Sequence, residues 1–546
     1  MPAHSLCTLP DELLSSIGQE TATEALPSLL LTSKSINDVL TPLLYASIAL
    51  YDYETAQMCT NTLATDPQEH YAKRDLAAYV RSFAVQFNYY GLDKELRARF
   101  ARSLADALSR MCGLQQIVFE SVYFGTPKVF MALVRGASRT LRSLSFKTDR
   151  PDWWPDGSDA NAFDGFRPAF PALTAVKLTL TDGLPRAWYA FFRDVLASRG
   201  AHLRTLEIGD ENAPSVGPLF PGPDAWSALE ELVLTIGTTP DALAGFPPGL
   251  NVRKLTLGTT LGIPESPPDE DIIVLDPIPA YLFPNLEYLV CAYQLLPAFL
   301  PADAPRQRPL RTVRLNKAYY DPNGDAADSF THSRRAPEWS NVRKVLGCLS
   351  RSAGPVVDLA FYIDWFDAKT FPGELVEYIH SVERLVIVLQ QEPGNAAHIS
   401  NYGKLFVAHT PRLQAFFLSD APIKALMGSE CSFLFTLVWD RQKSWLQEWE
   451  NHTTALKEVA FSTECSWKKT DGSWISQVYK RDDESDEGNE ESNDNAGDED
   501  SCGDEDSVED DGDEGTHEDV DYEDGENASG QDENDSKGID ENSDSS

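Results

Sequence analysis

Positive charge is scarce in this 546-residue chain: 46 Lys and Arg stand against 85 Asp and Glu, a formal net charge of −39. Residues 481–546 hold 31 of the acids against only Arg481 and Lys537, which leaves about −10 for the first 480 residues. Neither part offers the basic stripe that phosphate contacts need, so nucleic acid is not an expected partner. Long apolar runs are missing as well; nowhere do the roughly eighteen consecutive apolar residues of a membrane-spanning helix occur. The opening MPAHSLCTLP holds neither the basic nor the apolar stretch of an export leader. The expectation is a soluble protein of the cytoplasm and/or nucleus with no membrane partner.

Chemistry-bearing patterns are equally thin. The eight cysteines form no CxxC pair and no short ligand spacing, which excludes the common zinc and redox motifs and predicts reduced, mostly buried thiols. GxGxxG, GxxxxGK[ST], HExxH and GxSxG are all absent, and the nine histidines include no close pair. Carboxylates abound, yet spacing alone selects none as acid and base. The reading is of a non-enzyme with no catalytic residues, no metal and no cofactor.

What is present begins with LPDELLSSIGQETATEALPSLLLTSKSI, residues 9–36, which carries three apolar helical stripes. Pro10 suits the start of a helix, and Asp11 and Glu12 follow where carboxylates favour the positive end of the helix dipole. Leu13, Leu14 and Ile17 are read as one face, and Gly18 predicts a stop. Leu26, Leu29 and Leu30 form the second stripe. Ile36, Val39 and Leu40 form the third, with Pro42 predicting a break before Leu43, Leu44 and Tyr45. A unit of roughly forty residues is near the size below which a chain seldom stabilises itself alone. Its surplus apolar surface needs a cover, either from the body, with the helices as a terminal cap, or from another subunit.

Leu9-Pro10-Asp11-Glu12-Leu13-Leu14, the leucine-rich second helix and TSKSINDVLTPLLYASIAL together resemble an F-box over residues 6–50. That resemblance implies docking onto the Skp adaptor of a cullin-RING ubiquitin ligase. Carried over by position, the contacts would be Leu9, Pro10, Leu13, Leu14, Ile17, Leu29 and Leu30. Gly18 departs from the family, which usually has a bulky apolar residue there, and Ile36 replaces a commoner aromatic.

Residues 51–480 repeat an LxxLxL phrase: VRSFAV at 80, LQQIVF at 114, LRSLSF at 141, LTAVKL at 173, LRTLEI at 203, LEELVL at 229, VRKLTL at 252, LEYLVC at 286, LRTVRL at 310, VVDLAF at 356, VERLVI at 382, LQAFFL at 413 and LKEVAF at 456. Many copies follow Pro or Gly, and from residue 114 the starts are 23 to 46 residues apart, room for a strand and a returning helix or loop. Helical stretches such as DKELRARFARSLADALSRM and GELVEYIH fall between copies. The body resembles an irregular leucine-rich-repeat array, an α/β solenoid of parallel strands, although from 114 onward no copy has the Asn of that family's turn ladder. A doubly wound α/β domain is the rival fold, but thirteen strands exceed an ordinary open sheet. Two long connections, 258–285 and 317–341, interrupt the array. Aromatic runs on either side of Asp471-Gly472 predict a hairpin that caps its end.

Between the core positions of each strand, side chains are expected on the concave surface: Glu231, Lys254, Tyr288, Arg314, Tyr362, Arg384 and Phe417. Such a mixture of aromatic and charged groups suits a protein ligand. Residues 481–546 lack the apolar content to offset their ordering entropy and are expected to be a disordered acidic tail. The function expected is a substrate receptor of an SCF-type cullin-RING ubiquitin ligase, which binds the Skp adaptor through residues 6–50 and a protein target through the array. The alternative is a non-ligase leucine-rich-repeat scaffold or chaperone whose acidic tail binds basic proteins.

Overall fold

The computed structural model describes residues 9–65, 74–87, 94–120, 127–147, 170–180, 191–196, 202–210, 226–234, 243, 246, 248–258, 276–304, 307–316, 339–363, 371–389, 396–420, 439–461 and 465–478. The chain divides into two units, residues 1–481 and 482–546. The acidic tail and most of the two long connections, 259–275 and 317–338, lie outside the described residues.

The fold is mixed α/β, built on one sixteen-stranded sheet whose spatial order is its sequence order, β1 to β16. The strands are β1 (Ser47–Leu50), β2 (Ser82–Val85), β3 (Gln116–Phe119), β4 (Ser143–Lys147), β5 (Ala175–Leu180), β6 (Thr205–Asp210), β7 (Glu231–Leu234) and β8 (Lys254–Leu257). They continue as β9 (Tyr288–Ala292), β10 (Thr312–Asn316), β11 (Asp358–Ile363), β12 (Arg384–Leu389), β13 (Ala415–Asp420), β14 (Glu458–Ala460), β15 (Cys465–Thr470) and β16 (Ser473–Val478). All thirteen LxxLxL copies are strands, β2 to β14. An unreversed order of parallel neighbours is a solenoid's and excludes the doubly wound rival, in which the strand order turns back on itself.

Register explains the motif. Leu206 pairs with Leu232, Leu232 with Leu255, Leu255 with Leu289 and Leu289 with Val313, so the fourth motif position forms one continuous apolar row. The first and sixth positions join it, as Leu203, Ile208, Leu229 and Leu234 do at under 2 % exposure. The third and fifth positions point the other way, because successive strand residues alternate faces. The first helices are α1 (Asp11–Glu20), α2 (Leu26–Leu30) and α3 (Lys34–Leu44), and the apolar side of the sheet is covered from α4 (Tyr53–Ala64), α5 (Lys94–Arg110) and α6 (Pro127–Ala137) onward. Phe100 and Leu104 of α5 and Phe130 of α6 are fully buried in the same core as the strands.

The N-terminal boundary differs from the sequence reading. SIAL, residues 47–50, falls inside the span that resembles an F-box, yet it is the first strand of the array and pairs with all of β2. Gly18 does not stop α1. It is buried inside the helix where a Cβ would sit 2.6 Å from Leu40 Cδ2 and 2.9 Å from Leu43 Cδ1, so its small size permits close approach of α1 to α3. Pro42 does not break α3 either, because it lies in the last turn, where one missing N–H interrupts little. At the other end, Asp471 (φ 52°) and Gly472 (φ 79°) both adopt the left-handed conformation of a type I′ turn, which joins β15 and β16. Trp467 of this hairpin is 4 % exposed, and its Nε1 donates to Gln442 Oε1 at 2.7 Å, fastening it to the helix Trp439–Glu450.

The four cysteines whose side chains are described are unpaired: Cys112 is exposed, Cys59 half-buried, Cys291 and Cys348 buried. Burial pushes the Cys59 thiol up to about 11 and the Cys291 thiol further still. The thiolate is the reactive form. Alkylation of the native chain is therefore expected to label Cys112 and spare Cys291 until denaturant is added, as peptide mass spectrometry would read. Labelling of Cys291 in the native protein at the rate of Cys112 would contradict this packing.

Candidate functional site

Two surfaces carry the residues singled out in the sequence. The first is the helical unit α1–α3. Pro10 is extended at φ −54°, ψ 148°, and its carbonyl accepts from the N–H groups of Leu13 and Leu14 at 3.0 and 3.1 Å, so the helix begins at Asp11. At 100° per residue, Leu14 and Gly18 turn toward α3 while Leu13 and Ile17 turn away. Leu14, Leu26, Leu30, Ile36 and Leu40 close into a small core of their own, separate from the core of the array. This separates residues that the sequence reading placed on one stripe. Leu13 and Ile17 remain 52 % and 37 % exposed, Pro10 is exposed, Leu9 and Leu29 are half-buried, and Leu14 and Leu30 are interior.

Leu31 is 87 % exposed, and Tyr51 and Met58 are open as well, three positions the sequence reading passed over. Leu31 follows two leucines of the same stripe, and nothing in such a triplet tells which member faces out. Polar contacts tie this unit to the array. Arg74 Nη1 donates to Asn37 Oδ1 at 3.1 Å and Thr41 Oγ1 at 2.9 Å, and its guanidinium pairs with Asp38.

The second surface is the sheet face turned away from the helices. Register sets Tyr288, Thr312, Asp358 and Arg384 side by side on β9 to β12. One step along the strands it sets Val290, Arg314, Ala360, Val386 and Phe417 in a second row. Arg314 Nη2 and Arg384 Nη1 both reach Asp358 Oδ2, at 3.6 and 3.4 Å. The Arg314 guanidinium lies 5.6 Å from the Tyr288 ring centroid, and that of Arg384 lies 4.8 Å from the Phe417 ring. The result is a ladder of aromatic, arginine, aspartate, arginine, aromatic across five strands. Four of its members were selected from the sequence. Asp358 was not, because its partners lie 44 and 26 residues away and only the parallel register unites them.

The other selected residues fall outside the ladder. Glu231 is half-buried on β7 beside the exposed Lys254 of β8, its register partner. Tyr362 belongs to β11, and its side chain is outside the described residues. Lys177 and Glu207 pair at 2.9 Å nearer the N-terminal end of the face. Among the described residues no group of three or more His, Cys, Asp and Glu is placed to hold a metal ion, and no helix is long and apolar enough to cross a membrane.

No family model and no curated protein matches the chain. Among solved structures, a chain of the crystal structure described as the Rad7 and Elc1 complex in yeast aligns over 71% of this chain and 91% of its own length, at 12% identity and a TM-score of 0.30.

Proposed function

We propose that the chain is the substrate-recognition subunit of an SCF-type cullin-RING ubiquitin ligase, acting in the cytoplasm and/or nucleus. One observation carries the reading: Leu13, Ile17 and Leu31 stay open although the helical unit has already closed its own core. Covering these three side chains is worth on the order of 3–5 kcal/mol, a reason for a partner to bind there. The partner proposed is a Skp-type adaptor, through Leu13, Ile17 and Pro10, with Leu9 and Leu29 at the rim and Leu14 and Leu30 holding the helices in place. A protein target then sits on the open face of the sheet. No catalytic group or cofactor is required, because holding target lysines beside the transferred ubiquitin supplies rate through proximity alone.

Affinity purification of the full chain tests the proposal. Adaptor and cullin are expected in the eluate, and Leu13→Asp with Ile17→Asp is expected to remove both while hydrogen exchange in β2 to β14 stays unchanged. The scaffold alternative makes the opposite forecast: deletion of residues 481–546 removes every partner, and the helix variant loses none.

A further inference from the structure

We infer that the Arg314–Asp358–Arg384 cluster receives an oxyanion, a phosphate ester or a carboxylate, on an extended peptide segment; the receptor reading enters only as the reason a target brings that peptide. Among the described residues two guanidiniums face one carboxylate, so the cluster carries one positive charge more than its carboxylate balances. The Lys177–Glu207 pair on the same face is balanced one to one. Both arginines converge on the same Oδ2 at 3.4 and 3.6 Å, longer than the ~2.7–2.9 Å of a well-formed charge-assisted bond. Asp358 therefore holds the two guanidiniums side by side without saturating their donors, five N–H on each.

The cluster also contains orphaned groups. Arg314 Nε and Asp358 Oδ1 are shielded from solvent and have no hydrogen-bond partner among the described residues. Stability does not account for such an arrangement. Each arginine side chain is 40 % exposed, and ion pairs that open contribute about 0–1 kcal/mol at most. What the arrangement does supply is preorganisation. The Tyr288 and Phe417 rings lie beneath the two guanidiniums at 5.6 and 4.8 Å, and Val290, which is 8 % exposed, sits beside Arg314 in a largely apolar row. An apolar surround strengthens whatever charge pairing occurs above it.

Dimensions select an extended chain as carrier. Five strands at ~4.8 Å spacing span about 19 Å, the reach of roughly six extended residues. An anion at the centre would lie over the two arginines, with an aromatic ring at each end for apolar neighbours.

The test uses the immobilised full chain and three synthetic octapeptide libraries, each degenerate except for a fixed central phosphoserine, glutamate or glutamine. At least one anionic library is expected to be retained about tenfold over the glutamine library. Phosphoserine ahead of glutamate identifies a phosphate ester; equal retention of the two identifies a carboxylate. Arg314→Gln with Arg384→Gln is expected to erase the preference, and Arg314→Lys with Arg384→Lys to restore part of it. Asp358→Asn, which removes the competing carboxylate, is expected to raise anion retention several-fold. Equal retention of all three libraries, retention of none, or a preference that survives the double glutamine variant would overturn the inference. Stronger capture of a deoxythymidine oligonucleotide than of any library would also overturn it. Adaptor co-purification by the double glutamine variant is expected to stay normal. Its loss in wild type would count against the receptor reading and leave the peptide result standing.

Discussion

Trp449→Ala is expected to destabilise the C-terminal repeats by about 3–5 kcal/mol, the range for deleting a buried aromatic. Trp449 has no exposed surface and is among the largest fully buried side chains. Its ring centroid lies 6.0 Å from Phe416 of β13 and 5.9 Å from Phe461, which follows β14. A Cβ on Gly403, in the helix Ala396–His409, would run into its indole, so the cavity left behind is bounded on one side by backbone that cannot collapse inward. Repeats contact only their neighbours, so the loss is local. Amide exchange in β12 to β14 is expected to accelerate by on the order of a hundredfold or more, while β2 to β5 stay protected. Uniform acceleration along the sheet, or none, would contradict this packing.

Arg308→Leu is expected to cost about 3 kcal/mol or more, because it strands several buried acceptors at once. Arg308 is 1 % exposed and has no carboxylate partner among the described residues. Its guanidinium donates to the carbonyls of Phe299, Ile278 at 3.0 Å and Pro279 at 2.8 Å, and lies 5.3 Å from the Phe299 ring centroid. Burial pushes its pKa down to about 10, so it remains charged at neutral pH. This one side chain ties together the segments on either side of β9, a region rich in proline and short of regular hydrogen bonding. Limited proteolysis after residue 276 reads the effect directly: the variant is expected to be cut between 276 and 310 under conditions that leave wild type intact. Arg308→Lys, with a single ammonium, is expected to fall between the two. Equal protease resistance of all three proteins would show that the clamp contributes nothing.

The strands were legible because a half-buried parallel strand writes its burial into the chain with period two. In LRTLEI or LEELVL the fourth and sixth residues enter the core while the third and fifth leave it. SIAL was not legible. Its first motif position is Tyr45, which packs on the array core but reads in sequence as the end of the third apolar stripe, directly after a helix containing proline. The outcomes at Gly18 and Pro42 were hidden for a different reason. A glycine reads as a stop until a neighbouring helix, here the one carrying Leu40, is known to need its missing side chain. On the candidate sites, composition drew attention to Tyr288, Arg314, Arg384 and Phe417, but the aspartate that joins them is unremarkable in VVDLAF. Likewise Leu13 and Leu14 look alike in sequence, and only the position of α3 makes one of them interior and the other surface.

The central claim is that the first helices leave an apolar face open for another subunit. Calorimetric titration of a purified Skp-type adaptor into the full chain tests it most directly. Sub-micromolar binding is expected for wild type, with a loss of about a hundredfold or more for Leu13→Asp with Ile17→Asp, since each change buries a charge in place of an apolar side chain. Binding of equal strength by both proteins, or no heat from either at adaptor concentrations of about 100 μM, would contradict the account.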